Sequence, residues 1–212
     1  MVGPEAFTEV RYLAHAKQMQ ALTLIPAWST EFHYAFGRAA GGLVRRYEIE
    51  DAETVVVALG SVLGTVKDAV DEMRANGEKI GVLGISCFRP WPLEAVARAL
   101  GRARRVVVLE KSLAVGVGGI VSTNVRTTLA PRPVPVYDVI AGLGGRPITR
   151  KSLRALLDDV LAERLEPARL HFLDLDRELV AREMQRLTEP GRTGPHAENI
   201  VRDLGTVAAR SH

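Results

Sequence analysis

Four short apolar runs, each followed by a stretch of helical length, constrain this chain more than any other feature. They are TVVVALG (54–60), KIGVLGIS (79–86), RRVVVLE (104–110) and VPVYDVIAG (134–142). β-Branched residues dominate them and polar residues do not alternate through them. Such strands are buried on both faces, as in a parallel sheet covered by helices. The intervening stretches, 62–77, 92–103, 119–130 and 149–164, carry helical spacing and helix signals: Asn76-Gly77 as a stop, Pro92 near a first turn and Thr149 as an N-cap. Each is long enough to cross between parallel strands. The pattern predicts a doubly wound, mostly parallel α/β domain of Rossmann-like three-layer form over residues 52–165.

The flanks read differently. Residues 1–51 form a helical lead-in: an amphipathic helix over 5–24, with Pro4 in its first turn, ends or bends at Pro26. A second helical piece over 29–40 takes Ser29 or Thr30 as its N-cap, and RRYEIEDAE (45–53) is a charged connector. Residues 166–212 form an extension: LHFLDLD (170–176) is a strand or extended segment, Asp176 caps a helix over 177–187, and Pro and Gly turn signals mark a mobile tail.

Composition narrows the function. The net charge is +3 among 212 residues, with arginines spread along the chain and aromatics at only 5%, so neither a nucleic-acid stripe nor a stacking platform is signalled. The single cysteine, Cys87, cannot build an iron–sulfur site or an intrachain disulfide, which predicts a cytoplasmic protein. No apolar run has the length of a membrane span, and the first residues do not read as a signal peptide. His15, His33, His171, His196 and His212 are scattered without metal-ligand spacing. Asp158 and Asp159 read as solvated helix residues.

In a doubly wound sheet, ligands bind beyond the carboxyl ends of the strands, where the strand order reverses. Ser61 either caps the following helix or offers its amide to an anion. Arg89, in CFRPWP (87–92), either binds a carboxylate or partner chain or makes a loop salt bridge. Cys87 reads as a buried small hydrophobe more readily than as a nucleophile, since no histidine lies near it in sequence. Gly116, Gly118 and Gly119 lie in EKSLAVGVGG (110–119). A dinucleotide fingerprint needs different glycine spacing and no intervening loop, so the segment fits a tight turn that lets a helix approach the sheet better than it fits a phosphate cradle. GLGGRPIT (142–149) poses the same alternatives. No nucleophile–base pair is evident.

The order of these motifs carries a resemblance. VALGS (57–61), FRPWP (88–92), EKS (110–112) with GVGG (116–119), and GLGGRPIT (142–149) are together similar to the transketolase C-terminal-like domain in the alpha subunit of pyruvate:ferredoxin oxidoreductase and related 2-oxoacid:ferredoxin oxidoreductases. GPEAFTEVRY (3–12) resembles the segment just before that domain, and the likeness covers about residues 3–165. FRPWP for FRPFP and RPIT for RDVT are departures from the family pattern. The resemblance implies an assembly domain in a multi-chain enzyme that decarboxylates a 2-oxoacid, forms acyl-CoA and reduces ferredoxin. Thiamine diphosphate, magnesium and iron–sulfur clusters are then expected on other domains or subunits, with ferredoxin an indirect partner and a homodimer through the α/β domain allowed. It also implies a preceding domain in the family's subunit, so this chain is expected to be a shortened or split alpha subunit, or a remnant put to another use. The alternative reading is a free-standing module that binds an anionic small molecule such as coenzyme A or a nucleotide.

Overall fold

The computed structural model describes residues 3–167, 169–186 and 200–201. They fall into two compact units divided after Leu173. The first holds helix α1 (Pro4–Phe36), strands β1 (Val44–Tyr47), β2 (Thr54–Ala58), β3 (Ile80–Ile85), β4 (Arg105–Glu110), β5 (Val136–Ile140) and β6 (Leu170–Phe172), and helices α2 (Val62–Arg74), α3 (Leu93–Ala99), α4 (Ile120–Leu129) and α5 (Arg150–Leu161). The strands form one sheet in the order β1-β3-β2-β4-β5-β6. All neighbours pair in parallel except β1, which runs antiparallel along β3.

The apolar runs behave as their composition demands. Every residue of β2, β3 and β5 is buried. Side chains alternate across the sheet, so Val56, Ala58, Val107 and Leu109 meet α2 and α5 on one face. Val55, Val57, Val106 and Val108 meet α3 and α4 on the other. The three-layer α/β architecture read from the sequence is therefore present.

The sheet is wider than the four expected strands. Val44–Tyr47, inside the expected charged connector, is an edge strand. Its half-buried ends and exposed Arg45 and Arg46 suit an edge that meets solvent. Tyr47 fastens it to α2 by donating its hydroxyl hydrogen to Asp71, at 2.8 and 2.9 Å from the two carboxylate oxygens. Gly81 makes room for the turn after β1. A Cβ there would overlap the Glu48 carbonyl oxygen and lie 2.9 Å from the Ala52 Cβ. At the other edge, Leu170–Phe172 pairs in parallel with β5.

Pro26 does not end the first helix. α1 runs through it for 33 residues and stops at Gly37, whose φ is 66° and whose N–H donates to the His33 carbonyl. A proline costs an interior helix one hydrogen bond, and here the helix continues past that loss. Thr30, expected as an N-cap, instead donates its hydroxyl to the Pro26 carbonyl within the helix at 3.0 Å. None of α1 is buried.

The described part of the second unit contains helix α6 (Arg177–Arg186). Asp176 Oδ1 accepts the Leu179 N–H at 2.9 Å, the cap read from the sequence. The expected turn-rich tail lies mostly outside the described residues.

Candidate functional site at the strand ends

The chain leaves β2 for the α2 face and leaves β4 for the α4 face, although β2 and β4 are neighbours. The two departing loops therefore diverge, and this divergence is the switch point at which a doubly wound sheet offers a crevice. A cavity of about 260 Å³ sits there. Leu59 and Val62 line it where β2 gives way to α2, Leu109 to Ser112 where β4 ends, and Phe88, Ile120, Val121 and Ile148 complete its walls.

Beside the cavity, the amino end of α4 is closed by the protein's own acid. Glu110, the last residue of β4, is 4% exposed. Its Oε2 accepts the Ile120 and Val121 N–H groups, both at 2.9 Å, and its Oε1 accepts the Ser122 N–H at 3.0 Å. Asp138 of β5 accepts the Gly119 N–H at 3.2 Å and the Ser122 hydroxyl at 2.7 Å through Oδ2. The helix dipole and its unpaired amides, which would attract a phosphate, are thus met by two internal carboxylates.

This packing explains Gly119. A Cβ there would overlap Glu110 Oε1 and lie 2.6 Å from both Asp138 Oδ1 and Ser122 Oγ. The glycine is needed for close approach, since its φ of −77° is open to any residue. Gly116 and Gly118, with φ of 81° and 118°, turn the preceding loop, which closes on itself through paired Ala114 and Gly118. Its tip presents Val115 and Val117, 90% and 80% exposed. EKSLAVGVGG is therefore a turn whose helix is capped from within.

The other expected residues divide. Ser61 makes no side-chain cap to α2, because it already has helical backbone angles; the capping role does not form. Arg89 makes no ion pair among the described residues. Its guanidinium lies 3.9 Å from the Phe88 ring centroid and donates to the Phe88 carbonyl at 2.8 Å, so local stacking replaces the loop salt bridge. The structure brings Ser61, Arg89 and the three glycines to the same carboxyl-end edge but joins none of them in a common contact. Cys87 is 7% exposed, its thiol contacts the Pro90 carbonyl at 3.4 Å, and burial raises its pKa above the ordinary value. Thr149 caps α5 by accepting the Ser152 N–H at 3.0 Å.

Asp138 and Ser122 were not recognisable as partners from spacing. The available signal was a lone carboxylate inside an otherwise apolar strand, which must find donors when buried. Asp138 Oδ1 is buried without a hydrogen-bond partner among the described residues. No group of three or more His, Cys, Asp or Glu side chains among them is placed to hold a metal ion.

Residues 52–153 match the family described as Pyruvate:ferredoxin oxidoreductase core domain II. The chain is 40% identical over 183 residues to pyruvate synthase subunit PorA of Methanosarcina barkeri, covering 84% of this chain and 46% of that one. It is 33% identical over 163 residues to ketoisovalerate oxidoreductase subunit VorA of Pyrococcus horikoshii, covering 76% and 41%. It spans a little under half the length of these curated relatives. Among solved structures, a split-gene transketolase described as an inactive beta4 tetramer matches with a TM-score of 0.45 and 20% identity, over 56% of this chain and 41% of that one.

Proposed function

Given that residues 52–153 belong to the pyruvate:ferredoxin oxidoreductase core domain II family, we propose that the chain is an assembly domain of the alpha subunit of a thiamine-diphosphate-dependent 2-oxoacid:ferredoxin oxidoreductase. The complete enzyme decarboxylates a 2-oxoacid, with pyruvate the first to test, forms the acyl-CoA and reduces ferredoxin in the cytoplasm. This chain's part is to join other domains or subunits.

The observation that carries this reading is α1. It is about 50 Å long at 1.5 Å per residue, yet no residue of it is buried. Phe7, Leu13, Leu24, Trp28, Tyr34 and Phe36 all stand in solvent, with Trp28 60% and Tyr34 83% exposed. Apolar exposure on this scale marks an interaction surface. The valine-tipped loop between β4 and α4 adds a second apolar projection.

The strand-end residues do not fit thiamine diphosphate. Glu110 and Asp138 close the α4 amino end where a diphosphate would find amides, which supports the expectation of that cofactor on other domains. No described helix is long and apolar enough to cross a membrane.

The test is anaerobic purification of the tagged chain from its native host, with its companions identified by mass spectrometry. Stoichiometric recovery of thiamine-diphosphate-binding and iron–sulfur chains, with pyruvate- and CoA-dependent reduction of ferredoxin, is the expected result. Recovery of the chain alone overturns the assembly role.

A further inference from the structure

From the cavity at the switch point we infer that this domain binds a small organic monocarboxylate, its hydrocarbon part between Phe88, Ile120 and Ile148 and its carboxylate against Lys111. This goes beyond the assembly role and stands independently of it. The cavity walls are apolar over Leu59, Val62, Phe88, Leu109, Ile120 and Ile148. At about 260 Å³ the cavity has room for a small hydrocarbon group. Apolar clefts with a few placed polar groups are the usual form of small-molecule sites.

Charge selects the head group. Lys111 lines the cavity, is exposed, and makes no ion pair or hydrogen bond among the described residues. Ser112 adds a hydroxyl at the same wall. The neighbouring carboxylate, Glu110, is already committed to three α4 amides and does not reach for the lysine. One uncompensated cation above an apolar cavity matches one negative charge on an apolar body. A diphosphate brings more charge than this site offsets, and it meets Glu110 beside it. The one carboxylate in the wall, Glu110, is held by the α4 amides, and no hydrogen bond joins Ser112 to a base among the described residues, so the ligand binds and leaves unchanged, as an effector.

The test titrates the full chain with hexanoate, 1-hexanol and hexyl phosphate, following backbone amide shifts by NMR. Hexanoate is expected to saturate and to move the amides of Leu59, Val62, Phe88, Lys111 and Ile120. Lys111→Met is expected to weaken hexanoate about tenfold while leaving hexanol within about twofold of its original affinity. Ile120→Trp, which fills the cavity from its exposed rim, is expected to abolish binding of both. The inference is overturned by any of four results: no saturation at roughly 10 mM hexanoate, an unchanged affinity in Lys111→Met, retained binding in a folded Ile120→Trp, or tighter binding of hexyl phosphate. None of these results bears on whether the chain co-purifies with partner subunits.

Discussion

A buried carboxylate holds its place only while donors surround it, and Glu110 tests that rule. Glu110→Gln puts an amide nitrogen where an oxygen now accepts α4 N–H groups. Loss of those bonds is expected to destabilise the domain by about 1–3 kcal/mol in urea unfolding. Gly119→Ala is expected to cost a similar amount, about 1–3 kcal/mol from overpacking, because the new methyl meets Glu110, Asp138 and Ser122 together. Cys87 provides a pH test. Its folded pKa is raised above the ordinary 9.0 by burial, so its contribution to stability is complete below that value. As pH rises beyond it the unfolded thiol ionises first, and the contribution is lost up to the folded pKa. Wild type should therefore lose stability relative to Cys87→Ala above pH 9.0, and native Cys87 should alkylate only as fast as the protein opens. A stability difference that stays flat through this range would refute the assignment.

The elements show where pattern reading succeeds. β2, β3, β4 and β5 were legible because a strand buried on both faces has one composition, rich in valine and isoleucine. β1 was not legible. An edge strand with two exposed arginines carries no apolar run, and its pairing with β3 is set by residues some 40 positions away. Tyr47→Phe removes its tie to Asp71 and should cost no more than about 1 kcal/mol, because the bond is solvent-exposed. Faster amide exchange confined to residues 44–47 would locate the effect. Of the two alternatives at Pro26, the helix end fails for the opposite reason. Local chemistry says helix end, but the helix continues on both sides, and Thr30 bonds the Pro26 carbonyl within it.

Across the whole molecule, the core and the exposed helix separate stability from assembly. Substituting Leu13, Leu24 and Trp28 of α1 by glutamate should leave the urea midpoint nearly unchanged, within about 0.5 kcal/mol, since nothing there is buried. The same variant should lose its companion chains on purification. Charge reversal of Arg89 together with substitution of Gly118 probes the strand-end edge in the same way, with complex assembly and turnover as readouts. An unchanged complex would remove that edge from the interface. The sequence alone determined the alternation of strands and helices, the α/β class, the glycine turn and the caps at Thr149 and Asp176. Those features depend on composition and on neighbours a few residues apart. Only the tertiary structure decided that Glu110 and Asp138 close the α4 amino end, that Arg89 stacks on Phe88, and that Lys111 stands alone beside an apolar cavity. The carboxylate cap and the cavity depend on which strand ends lie side by side, and the Arg89 stack depends on side-chain conformation; hydrophobic periodicity carries a record of neither.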